Sequence, residues 1–123
     1  MEFEEISKEI IGVYFEVYNL LGFGFLEKVY EEAMALEFKR RGISFERQVG
    51  FDVLYKGDVA GKYVADFIVG DVVVEIKAKC CLDGVDEAQL INYLKGTDRK
   101  VGLLFNFGGE KPDFKRKVFG RVE

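Results

Sequence analysis

Asp66-Phe67-Ile68-Val69-Gly70-Asp71-Val72-Val73-Val74-Glu75-Ile76-Lys77 is the stretch on which the reading of this chain turns. Two apolar runs flank Gly70-Asp71, and a two-residue loop between such runs signals a hairpin and fixes its register. With Val69 opposite Val72, Asp66 falls opposite Glu75, and Val64 opposite Lys77. Strand side chains alternate between faces, so Asp66, Glu75 and Lys77 are predicted on one side of a sheet. Directly opposed residues bring their Cβ atoms to about 4.5–5.5 Å, a distance at which two carboxylates repel. A divalent cation relieves that repulsion, since Mg²⁺ takes one or two carboxylates together with water and substrate oxygens. Lys77 is then placed to orient or deprotonate an attacking water, or to stabilise charge developing at phosphorus. The competing reading is a solvated surface hairpin in which Lys77 is only a local counter-ion. Phe67-Ile68-Val69 and Val72-Val73-Val74 weigh against it, because such runs suit strands inside a protein, where unpaired carboxylates are costly.

Outward from this hairpin, the pattern changes period. Ile6, Ile10, Val13, Val17 and Leu20 or Leu21 recur at helical spacing and predict a helix over 4–21. Gly22 and Gly24 interrupt it, and a second helix is predicted over 25–41, with Lys39, Arg40 and Arg41 at its negative end and Gly42 as its cap. Strands are expected over 45–55, 63–69 and 72–78 with a turn near Lys56-Gly57. A helix from Asp83 to Lys95, closed by Gly96, precedes a buried strand over 101–107, with one more strand near 115–119. The order predicts an α/β fold, a mixed central sheet flanked by helices, formed by residues 1–123 as a single domain.

Composition narrows the chemistry. The chain has 123 residues, 49% of them hydrophobic, which fits one core. Histidine is absent, which removes Ser-His-Asp and Cys-His catalysis and nearly all zinc-hydrolase sites. Chemistry must rest on carboxylates, lysine, tyrosine or a hard metal ion. Adjacent Cys80 and Cys81 match no zinc spacing and are expected to be reduced, partly buried thiols. The longest apolar stretches fall far short of the roughly 20 residues of a membrane span, and the acidic start is unlike a secretory signal, so a cytoplasmic protein is expected. Residues 1–37 carry a net charge of −7 and residues 38–123 carry +3. Lys115, Arg116 and Lys117, beside Phe114 and Phe119, form a basic cluster that is either a phosphate contact or a solvated final strand.

Two helices add candidates. Gln89 and Tyr93 stand four residues apart and share a helical face, as do Glu27, Tyr30 and Glu31. Individually, each reads as well as a core tyrosine or a surface polar group.

Together, Asp66, Glu75-Ile76-Lys77 and Gln89-Leu90-Ile91-Asn92-Tyr93 resemble the Asp, Glu-x-Lys and Gln-x-x-x-Tyr signature of PD-(D/E)XK nucleases, notably the RecB and lambda-exonuclease type. Gly24-Phe25-Leu26-Glu27-Lys28-Val29-Tyr30 is similar to the motif that names the GxxExxY protein family. The similarity runs from about Leu20 to Phe107, with Ala65 where a proline usually precedes the aspartate. The resemblance implies a restriction-endonuclease-like core in which Asp66 and Glu75 ligate Mg²⁺ or Mn²⁺, Glu27 lies near the metal, Lys77 assists catalysis, and Gln89 and Tyr93 position the site or the DNA backbone. Tyr30, Lys115, Arg116 and Lys117 are the expected nucleic-acid contacts. The expected function is metal-dependent hydrolysis of DNA phosphodiester bonds. The alternative is a non-catalytic module that keeps the nuclease scaffold and binds nucleic acid or protein. No membrane partner is expected, and the first helix offers a surface for a homodimer.

Overall fold

Strict alternation along Val72–Lys77 builds the centre of the molecule: Val72, Val74 and Ile76 enter a large apolar cluster on one face, while Val73 enters a smaller one on the other. In the computed structural model, which describes residues 3–120, the elements are α1 (Phe3–Leu21), α2 (Glu27–Arg40), β1 (Glu46–Tyr55), β2 (Asp58–Val69), β3 (Val72–Lys77), α3 (Gly84–Thr97), β4 (Val101–Asn106) and β5 (Asp113–Val118). The five strands form one sheet in the order β1-β2-β3-β4-β5. Only the β3–β4 pair is parallel, so the sheet is mixed and α3 is the crossover between those strands. This is the α/β architecture the sequence predicts.

Helices α1 and α2 cover one face through Ile10, Val13, Tyr14, Val17, Tyr30, Met34 and Phe38, all buried. The other face is covered by α3 through Leu90, Tyr93 and Leu94. The buried tyrosine hydroxyls of this core all find backbone partners. The Tyr14 hydroxyl donates to the Asn106 carbonyl at 2.6 Å and accepts from the Asp113 amide at 2.9 Å, tying α1 to the last two strands. Burial accordingly pushes its phenol up to about 12. Tyr14→Phe keeps the ring packing but strands two backbone groups. It should cost about 1–2 kcal/mol and lower Tm by roughly 4–10 °C in a thermal melt; an unchanged Tm would show that water replaces the hydroxyl.

Helix ends follow local chemistry. At the end of α2 the Ile43 amide bonds the Phe38 carbonyl and the Gly42 amide bonds that of Lys39, the paired bonds of a Schellman motif, with Gly42 at φ 69°. Asp83 and Asp86 form a capping box at the start of α3. Gly96 does not close that helix, as its position suggested. The helix runs on to Thr97, and Asp98 is the left-handed cap at φ 55°. Gly96 instead lies against the Phe51 ring, where any Cβ would collide. Strand β2 begins five residues earlier than predicted, at Asp58 rather than Tyr63, because β1 and β2 continue past the sheet as a two-stranded arm. Cys80 and Cys81 are exposed rather than partly buried.

Candidate active site

The β2–β3 register holds only near the turn. Val69 pairs with Val72, Ile68 with Val73 and Phe67 with Val74, as the loop demands, but no Asp66–Glu75 backbone pair follows. There the strands part. The Asp66 side chain replaces the missing ladder bond, with Oδ2 accepting from the Ile76 amide at 2.7 Å. On the other side, Asp66 faces Gln48, and both drop out of the β1–β2 ladder between Arg47–Phe67 and Val49–Ala65. Direct opposition of the two acids is therefore corrected: they converge across a gap that a closed ladder would have filled.

That gap is a cavity of about 320 Å³ lined by Glu27, Lys62, Tyr63, Val64, Asp66, Glu75, Lys77, Gln89 and Tyr93. Residues from four elements meet here. Glu75 and Lys77 share the parity of Val73 and so face α3, which brings Gln89 and Tyr93 over them. Glu27 enters from the first turn of α2. The Tyr93 ring is buried, and its hydroxyl donates to the Val49 carbonyl at 2.8 Å, so it braces β1 at the cavity's edge.

Charge in this cavity is unbalanced. Burial pushes the Glu75 carboxyl up to about 8, helped by the Asp66 carboxylate and opposed by the Lys77 ammonium. Asp66 is raised by burial against the pull of the Ile76 amide, and Glu27 is raised by burial and by Asp66. Three acids are thus held above their ordinary range beside Lys77, an arrangement that a cation would relieve. All the donors are hard oxygens, which suits Mg²⁺ or Mn²⁺. Among the described residues, no three acidic or cysteine side chains converge closely enough to hold an ion by themselves. A pair of carboxylates with water and substrate oxygens is the coordination this cavity can supply, and that is the habit of Mg²⁺.

Several predicted contacts lie elsewhere. Tyr30 is fully buried, stacked on Phe107 at 4.3 Å between centroids, and its hydroxyl donates to the Gly22 carbonyl at 2.7 Å and accepts from the Phe25 amide at 3.1 Å. It shapes the loop that delivers Glu27 and is not available to nucleic acid, which corrects that expectation. Lys115, Arg116 and Lys117 do not form one patch, because alternation along β5 sends Arg116 to the face opposite the other two. Lys117 is paired with Glu87 of α3. Lys115 alone is exposed at the level of Glu75, two strands away. Arg121, at the end of the same basic stretch, lies outside the described residues. Lys62 and Tyr63, which line the cavity, and Gln48, which contacts Asp66 from β1, were missed, because they sit in strand regions with no motif.

Known proteins bear on this geometry. A family model described as the PD-(D/E)XK nuclease superfamily matches residues 4–117. Among solved structures, one titled "Crystal structure of SSO0001" aligns with a TM-score of 0.59 at 20% sequence identity, over 75% of this chain and 50% of that one. The match thus spans half of that protein's length, and at such low identity it speaks to the fold. No curated protein matches this chain significantly. No helix among the described residues is long and apolar enough to cross a membrane. With its family match running from α1 through most of β5, the chain belongs to the PD-(D/E)XK nuclease superfamily.

Proposed function

We propose that the chain is a metal-dependent nuclease that hydrolyses phosphodiester bonds of DNA at the cavity between β2 and β3. The observation that carries this reading is the convergence of Asp66, Glu75 and Lys77 with Glu27, Gln89 and Tyr93 in one cavity. Asp66 and Glu75 would hold Mg²⁺ or Mn²⁺, with Glu27 lining the same cavity. When bound, the ion supplies a water activated as nucleophile and stabilises charge on the phosphoryl and leaving oxygens. The chain's own groups do the rest. Asp66, held by the Ile76 amide through Oδ2, lines the cavity and keeps acceptor capacity for an ion. Lys77 holds its ammonium beside both acids, where it can orient the attacking water or meet charge forming at phosphorus. Lys62 and Lys115, exposed beyond the acids, are suited to backbone phosphates. Tyr93 braces the wall against which Gln89 projects.

The test is titration with Mg²⁺ and Mn²⁺ over a panel of labelled single-stranded, duplex and branched DNA, comparing the parent with Asp66→Asn. Metal-dependent cleavage by the parent, reduced at least about 100-fold in the variant together with metal affinity, is the expected result. Binding without cleavage across the panel would replace the nuclease reading with that of a non-catalytic module on the same scaffold.

A further inference from the structure

Gln48 is not explained by the hairpin or by any motif. It lies within β1, where an extended backbone is the rule, yet its φ is 52°, a left-handed conformation unfavourable for a residue bearing a Cβ. It takes no place in the ladder with β2. What it does instead is join two acids. Its Nε2 lies 2.7 Å from Glu31 Oε1 and 3.3 Å from Asp66 Oδ1. An amide nitrogen has two hydrogens, and here each faces one carboxylate.

The anchor is itself anchored. Glu31 is buried, and Arg47 Nη2 stands 3.2 Å from the same Oε1 while reaching Glu32 at 2.7 Å. A continuous chain of polar contacts therefore runs from Arg47 through Glu31 and Gln48 to Asp66, and on to the Ile76 amide of β3. Asp66 is gripped from β1 through one oxygen and from β3 through the other, which leaves its orientation little freedom.

We propose that Gln48, anchored by Glu31, is a positioning residue that fixes the direction in which Asp66 presents its carboxylate to the cavity. The left-handed backbone at residue 48 turns the amide out of the strand's regular alternation and into the space between the two acids. The consequence for metal affinity rests on the reading of Asp66 as a ligand; the positioning itself does not.

Gln48→Asn and Gln48→Gly both tolerate a left-handed backbone, so the fold is retained, and neither side chain can span both carboxylates. The first readout is hydrogen exchange in the metal-free protein. The Ile76 amide should exchange about tenfold faster in both variants while the amides of Val72, Val73 and Val74 keep parental rates. The second is Mg²⁺ affinity by calorimetry, which should fall about 10- to 100-fold, as is usual when the partner of a ligand is removed. Unchanged Ile76 protection in both variants overturns the positioning role, and so does acceleration shared by every amide, which would make Gln48 purely structural. If Ile76 alone loses protection but the parent binds neither Mg²⁺ nor Mn²⁺, the positioning stands and the metal reading falls. If the parent binds metal and the variants bind it equally well with Ile76 still protected, the metal reading stands and the positioning falls.

Discussion

Lys77→Ala should lower metal-dependent cleavage by about 100- to 1000-fold while leaving Mg²⁺ affinity unchanged or slightly tighter. The two halves of this expectation have different causes. Lys77 ends β3 inside the cavity, and its ammonium lowers the proton affinity of Glu75, Asp66 and Glu27. Removing it takes a positive charge away from the place a cation would occupy, so binding does not suffer. The chemical step does, because Lys77 is the cation whose charge acts on all three acids of the cavity. Single-turnover cleavage and calorimetry on the same preparation separate the halves. Lys77→Arg sharpens the result: retained activity would mean that the charge is what matters, and lost activity would mean that a deprotonable amine is required. Turnover of Lys77→Ala within about threefold of the parent would remove the residue from the mechanism.

Glu75→Gln should reverse the usual expectation for a buried polar substitution and stabilise the metal-free protein at pH 8. The Glu75 carboxyl titrates near pH 8 in the folded chain against an ordinary value of 4.5. Between those values the folded state holds a proton that the unfolded chain has released, so parental stability falls as pH rises from about 4.5 through about 8. Glutamine carries no such penalty. The variant should match the parent below about pH 4.5 and exceed it by about 2 kcal/mol at pH 8, which is less than the whole electrostatic cost because water enters the open cavity. That corresponds to a Tm gain of roughly 6–10 °C. Saturating Mg²⁺ should invert the order: a ligand at 100 times its Kd adds about 2.7 kcal/mol to the parent and less to a variant that has lost a ligand. Melting curves at pH 4.5 and 8, with and without Mg²⁺, give all four values. Equal stability of the two proteins at pH 8 without metal would show that Glu75 is not strained by its neighbours.

The order and type of the elements were legible because they rest on short-range periodicity. Ile10, Val13 and Val17 repeat at helical spacing, and in the structure they are the buried stripe of α1. Gly70-Asp71 set the turn, and the three pairs nearest to it obey the register it dictates. Gly96 shows where local reading fails. Glycine after a helical run reads as a cap, but here it makes room for Phe51, a contact 45 residues away along the chain. Tyr30 misleads in the same way, since a tyrosine near a candidate acid looks functional until Phe107 is found stacked against it.

By itself, the sequence determined which chemistry is open to this protein and which residues are the candidates to carry it. The absence of histidine and the spacing of Asp66, Glu75, Lys77, Gln89 and Tyr93 are properties of the chain, and each element keeps its residues at a fixed period. Tertiary structure alone decided how they meet. The parting of β2 from β3 beyond Phe67, the contacts of the left-handed Gln48 with Glu31 and Asp66, and the seating of Tyr30, which clasps the loop before Glu27, against Phe107 join elements apart in sequence. Periodicity places a side chain on a face. Only the packing of three helices against a twisted sheet sets where that face opens to make a cavity.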